Sequence, residues 1–86
     1  MPYVLEIRRK TLKPLIAKIT WVEDLNVGDL TYIFYQIALN YVKQKGVSYS
    51  VLSQVITALE CAKMEFYRRK VSPYEDMKIQ RNGDIK

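Results

Sequence analysis

Ser50-Val51-Leu52-Ser53-Gln54-Val55-Ile56-Thr57-Ala58-Leu59-Glu60-Cys61-Ala62-Lys63-Met64-Glu65-Phe66-Tyr67-Arg68-Arg69-Lys70-Val71 is the segment whose reading decides the fold. Leu52, Val55, Ile56, Leu59, Ala62 or Lys63, and Phe66 recur at intervals of three and four, the spacing that lines one face of an α-helix. Ser48 or Ser50 can cap its start. The pattern predicts a helix of roughly 20 residues, about 30 Å long, running to about Val71. Beyond it, Ser72-Pro73-Tyr74-Glu75 reads as a fresh helix start. Ser72 would cap, Pro73 suits a first helical position, and Glu75 stands where a capping box needs a carboxylate. That short helix is expected to end near Arg81, with Asn82-Gly83 as a left-handed stop and residues 83–86 as tail.

On the amino-terminal side, Gly46 stops a second helix whose apolar stripe is Leu30, Ile33, Phe34, Ile37, Ala38, Tyr41 and Val42. Lys43 and Lys45 suit its last turn, and Asp29 is read as its cap. Leu12, Leu15, Ile16, Ile19 and Val22 predict a first helix from Leu12 to about Val22, capped by Thr11, with Pro14 tolerated in the first turn. Residues 1–10 read as an arm that ends in Arg8-Arg9-Lys10. The expected fold is therefore all-α: one domain over residues 1–86, a small bundle of three to four helices with an amino-terminal arm.

The chain has 86 residues, 14 Lys or Arg against 9 Asp or Glu, no His and one Cys, for a net charge of +5. A chain this short buries only roughly 60 to 65% of its unfolded surface, so its core is marginal without a disulfide, a metal or self-association. One cysteine cannot form an internal disulfide, and one cysteine without histidine offers no zinc site. Self-association remains, and a homo-oligomer is expected. The missing imidazole also removes the usual base of serine and cysteine nucleophiles, so no enzyme and no cofactor are expected. No apolar run approaches 18 residues, and the first residues lack a signal-peptide layout, so a cytoplasmic protein without a membrane partner is expected. The positive charge favours an anionic partner.

The candidate site is basic and aromatic. Arg8, Arg9 and Lys10 come from the arm, and Lys63, Tyr67, Arg68, Arg69 and Lys70 crowd the end of the long helix, where Lys63 and Tyr67 share a face. Guanidinium groups pair with phosphate through parallel hydrogen bonds, and a tyrosine ring can stack on a base. Tyr74 and Lys78 extend the set, and Glu60, Glu65 and Asp76 would orient the arginines. The competing reading is structural: cations in a last turn complement the helix dipole, and Glu65 neutralises Arg68 or Arg69 at three or four residues' distance. Likewise, Glu75 and Asp76 read either as acids of a helix start or as a carboxylate pair, and Cys61 as a small buried thiol rather than a reactive one. The seven tyrosines and Trp21 exceed what one small core needs, and each reads either as partly buried with its polar tip in water or as part of an interface or stacking platform.

Met1-Pro2-Tyr3, Arg8-Arg9, Gly28-Asp29-Leu30 with Tyr32, Leu59-Glu60-Cys61-Ala62-Lys63, Glu65-Phe66-Tyr67-Arg68-Arg69, Pro73-Tyr74-Glu75-Asp76, Lys78-Ile79 and Asn82-Gly83-Asp84 together resemble a family of small uncharacterised proteins of phages and prophage-bearing bacteria. Thr31 departs from that pattern, where asparagine is common after Gly-Asp-Leu. The resemblance implies no activity, but it supplies a context. Phages encode small oligomeric proteins that sequester the nucleotide signals of bacterial immunity, and this chain is similar to them in size and charge. The expected function is non-enzymatic sequestration of an anionic, nucleotide-like ligand in a basic and aromatic pocket between subunits, held by Arg8, Arg9, Lys63, Tyr67, Arg68, Arg69, Tyr74 and Lys78. Two alternatives share these residues: a regulator that binds DNA or RNA along an open cationic strip, and an inhibitor that docks on a host enzyme through its aromatic surface.

Overall fold

The structure is a computed structural model and describes residues 4–85. Among these residues it is all-helical, with no strand: α1 (Glu6–Ile19), α2 (Val27–Lys45), α3 (Tyr49–Phe66), a π-helical turn (Tyr67–Val71) and α4 (Ser72–Asn82). The chain divides into two units, Met1–Tyr35 and Gln36–Lys86, with the boundary inside α2.

In the first unit, α1 starts six residues before the expected Leu12, so residues 6–10 of the expected arm are helical and residues 1–3 lie outside the described part. Thr11 is not a cap. It lies inside the helix, where its hydroxyl donates to the Ile7 carbonyl at 3.2 Å. The residue that precedes the helix is Leu5, whose side chain caps nothing. Pro14 therefore lies in the helix interior rather than in its first turn, and the Lys10 carbonyl loses the amide donor that any other residue would bring. The helix closes at Thr20, short of Val22, with the Thr20 hydroxyl donating to the Ala17 carbonyl at 2.6 Å.

The start of α2 is a reciprocal cap, shifted from the one expected. Asn26 Oδ1 accepts from the Asp29 amide at 2.8 Å, and Asp29 Oδ2 accepts from the Asn26 amide at 3.1 Å. Asn26 is thus the cap, and Asp29 returns the bond from the third helical position. Thr31, the departure from the resembling pattern, donates to the Val27 carbonyl at 3.0 Å and takes no part in the cap.

In the second unit, α2 ends as expected, at Gly46, whose φ of 88° is the left-handed conformation that only glycine adopts freely. Ser48 caps α3, with Oγ accepting from the Val51 amide at 3.1 Å. Tyr41 of α2 donates to Gln54 Oε1 of α3 at 2.6 Å.

The expected break at Ser72 is absent. Val71 and Ser72 have right-handed helical dihedrals, and the backbone runs helically from Tyr49 to Asn82 through the π turn. Proline explains the turn. Pro73 has no amide to give the Arg69 carbonyl and its ring crowds that carbonyl, so the preceding turn widens. The Ser72 amide accordingly reaches back five residues, to the Tyr67 carbonyl. Gly83, at φ 87°, then ends α4 as the sequence predicts.

The apolar stripes predict a closed core, yet no described residue is buried. Val51, Val55 and Cys61 on α3 are half-buried, while Leu52, Leu59 and Ile56, the last 66% exposed, remain open.

Candidate functional site

The π turn carries three of the candidate residues, Tyr67, Arg68 and Arg69. Glu65, in the last turn of α3, accepts from both arginines that follow it: Arg68 Nη2 lies 2.6 Å from Glu65 Oε1, and Arg69 Nε bonds the same oxygen. These are the helix-surface neighbours at three and four residues' distance, so α-helical geometry up to Phe66 sets the pair. Glu65 is half-buried and both guanidinium groups are largely exposed. The hydrogen bonds from Arg69 and then Arg68 hold the Glu65 carboxyl below its usual value of 4.5.

Tyr67 stands at the first position of the turn and donates to Glu75 Oε1 at 2.6 Å. Eight residues on an uninterrupted α-helix would place these two side chains about 80° apart around the axis. The wider π turn carries fewer degrees per residue and brings them onto one face. The bond to Glu75 pushes the Tyr67 phenol above its usual 10.0, because the hydroxyl must keep its proton to donate beside a carboxylate. One turn on, Lys78 Nζ sits 5.6 Å from the centre of the Tyr74 ring, within cation–π range. One turn back, Lys63 pairs with Glu60 at 3.4 Å.

The structure therefore brings Lys63, Tyr67, Arg68, Arg69, Tyr74 and Lys78 onto one continuous helical run, with Glu60 and Glu65 as their acids. Asp76 lies on α4 and forms no ion pair among the described residues. Arg8 and Arg9 are on α1, in the first unit, where Arg9 Nη1 donates to the Val4 carbonyl at 3.1 Å. Glu75, which the sequence presents as a capping acid, accepts from the Tyr67 hydroxyl instead.

Two guanidinium groups share one carboxylate oxygen, so the cluster retains a net positive charge and several unused N–H donors at its surface. Such a cluster can hold an anion, and the Tyr67 ring on the same turn is half-exposed. No group of three metal-ligating side chains occurs among the described residues, and no described helix is long and apolar enough to cross a membrane.

These features define a small all-helical protein with a cationic and aromatic surface. By sequence, the chain belongs to the family described as a domain of unknown function (DUF6899), whose model matches residues 1–85. Comparison with curated proteins and with solved structures gives no match.

Proposed function

We propose that this chain is a non-enzymatic binding protein that sequesters an anionic, nucleotide-like ligand at the π turn, working as a helical homo-oligomer of the kind phages use against nucleotide immune signals. The observation that carries this reading is the Glu65-braced pair Arg68 and Arg69, on the same turn as the Glu75-bound Tyr67. Glu65 orders both guanidinium groups before any ligand arrives, which lowers the entropy cost of gripping phosphate. Tyr67, steadied by Glu75, offers its ring to a base, and Lys63, Tyr74 and Lys78 extend the charge and the stacking surface. Arg8 and Arg9 are not needed for a site so described.

Self-association is supported by the open apolar stripe. Phe34 and Ile37 on α2, and Leu52, Ile56 and Leu59 on α3, are all exposed. Ordering each residue costs about 1–2 kcal/mol of backbone entropy, and apolar burial is the main term that offsets it. A bundle built from several copies supplies that burial.

Calorimetry with cyclic dinucleotides and cyclic ADP-ribose isomers tests the site. Arg68→Glu or Arg69→Glu abolishes binding while sedimentation still shows the oligomer; unchanged affinity in both variants discards the site.

A second reading has its own support. Lys63, Arg68, Arg69, Lys70, Lys78 and Arg81 lie along one uninterrupted helical run, the form of a strip that tracks a nucleic-acid backbone. Salt separates the two. A strip making 6–10 phosphate contacts loses roughly 10³–10⁵ in affinity between 50 and 200 mM salt, whereas a small ligand that touches few phosphates responds far less.

A further inference from the structure

α1 combines two properties that the π-turn site does not use. Its charge is one-sided: Arg8, Arg9, Lys10, Lys13 and Lys18 face only Glu6. Its apolar residues Leu12, Leu15, Ile16 and Ile19 fall within an arc of about 100° around the helix axis. The cations flank that arc, with Lys18 beyond Leu15 on one side and Arg9 and Lys13 beyond Ile16 on the other. Arg8 falls inside the arc, at its amino-terminal end, where a long side chain can lay its stem along apolar surface and keep its head in water. Leu15 and Ile16 are exposed, and so are Leu5 and Ile7 at the helix start and Trp21 and Val22 just past its end, with Trp21 at 75%.

A second observation comes from the helix surface itself. Val4, Leu12 and Ile16 line an open groove of about 380 Å³, and Arg9 and Lys13 stand on it. An apolar depression edged by cations suits apolar groups lying beneath anionic headgroups.

We propose that α1 with Trp21 is a docking surface for an anionic lipid bilayer, lying in the interfacial plane with the Leu12–Ile19 stripe against the acyl region and the lysines among the headgroups. The expectation of no membrane partner rests on the lack of a spanning segment, and a helix lying in the interface needs none. Charge decides the occupant. A second copy of the stripe would bring like-charged flanks together. Nucleic acid would satisfy the cations but leave the exposed Leu15, Ile16 and Trp21 without a partner. An anionic bilayer satisfies both halves of the helix, and the tryptophan takes the interfacial position that its amphipathic ring favours.

Trp21 is the sole tryptophan, so it reports directly. The full chain is mixed with vesicles of equal parts phosphatidylglycerol and phosphatidylcholine, and separately with phosphatidylcholine alone. The emission of Trp21 shifts to the blue on the anionic vesicles and is quenched by brominated acyl chains, and sedimentation with the vesicles gives the partition coefficient. Neutral vesicles leave it unchanged. Lys13→Gln with Lys18→Gln lowers partition roughly 30-fold, at about 1 kcal/mol per cation near the surface. Leu15→Gln with Ile16→Gln lowers it at least tenfold.

Lys43→Gln with Lys45→Gln removes the same charge from the last turn of α2, a helix end that the proposed surface does not use, and leaves partition within about twofold. Circular dichroism of each variant checks that the helices persist. The proposal is overturned by equal partition onto neutral vesicles, by absence of partition, or by an equal loss in the α2 control. It is also overturned if duplex DNA or RNA binds through Lys13 and Lys18 while Trp21 stays unchanged on vesicles.

Discussion

The chain carries Arg-Arg-Lys twice, as Arg8-Arg9-Lys10 and Arg68-Arg69-Lys70, and the two copies are set in different surroundings. The later pair is braced by Glu65, three residues before one arginine and four before the other. The corresponding position of the earlier copy is Leu5, and there Arg9 turns to the Val4 carbonyl. One acid at one helical offset thus separates an ordered guanidinium pair from an unbraced basic segment. Proline repeats the lesson. Pro14 and Pro73 both sit inside helical backbone, but only Pro73 is preceded by a π turn, and only there does the widened turn carry a side-chain contact, from Tyr67 to Glu75.

The largest expected effect comes from removing that second proline. Pro73→Ala restores an amide to the ladder and replaces the poorest helix former with the best, a difference of up to about 3 kcal/mol in a helix interior. The run from Tyr49 to Asn82 relaxes toward uniform α-helix, and circular dichroism shows greater helicity and a higher Tm. Tyr67 and Glu75 then separate by about 80° around the axis, so nucleotide affinity falls by tenfold or more as the phenol loses its brace. Higher helicity with unchanged affinity would mean that the π turn is only an accommodation of proline.

A smaller effect follows from making the two arginine pairs alike. Leu5→Glu gives Arg8 and Arg9 the acid that Glu65 gives Arg68 and Arg69. The added carboxylate neutralises about one cation, so partition onto anionic vesicles drops about fivefold. A negative charge at the helix start also favours α1 by about 0.3–1 kcal/mol. Weaker partition together with higher helicity separates an electrostatic effect from unfolding, and partition that does not move would show that α1 is held by its apolar residues alone.

How much of this was legible in the sequence depends on how local each cause is. Ser48, Gly46 and Gly83 were readable because a cap and a left-handed stop are properties of one or two residues and their own dihedrals. Ser72 carries the same local signature as Ser48, yet it caps nothing. The difference is conformational: Ser48 is extended, at φ −158° and ψ 162°, and faces unpaired amides, whereas Ser72 is helical at φ −59° and ψ −47° and its turn is already bonded. A cap forms only where the preceding chain leaves the helix, and nothing within Ser72-Pro73-Tyr74-Glu75 reports whether Val71 has left it. The Glu65 brace was visible as i,i+3 and i,i+4 spacing. The Tyr67–Glu75 bond was not, because α-helical periodicity places these residues on different faces and only the π turn aligns them.

The smallest effects are those of pH, and they distinguish the two acids of the π turn. Glu65 has its carboxyl lowered by Arg69 and Arg68, so its brace is fully present above the usual 4.5 and is lost as the pH falls through the lowered value. Tyr67 behaves in the opposite sense. Its phenol is raised by Glu75, so the contact is intact below 10.0 and disappears as the pH rises through the raised value. Absorbance titration of tyrosinate therefore shows one phenol that ionises late, and Tyr67→Phe removes it without changing helicity at neutral pH. Glu75→Gln returns that phenol toward its ordinary range, because a neutral amide accepts the same hydrogen bond without the charge. If the late phenol survives Tyr67→Phe, another of the seven tyrosines holds the raised proton, and the π turn is not what brings a phenol and a carboxylate together.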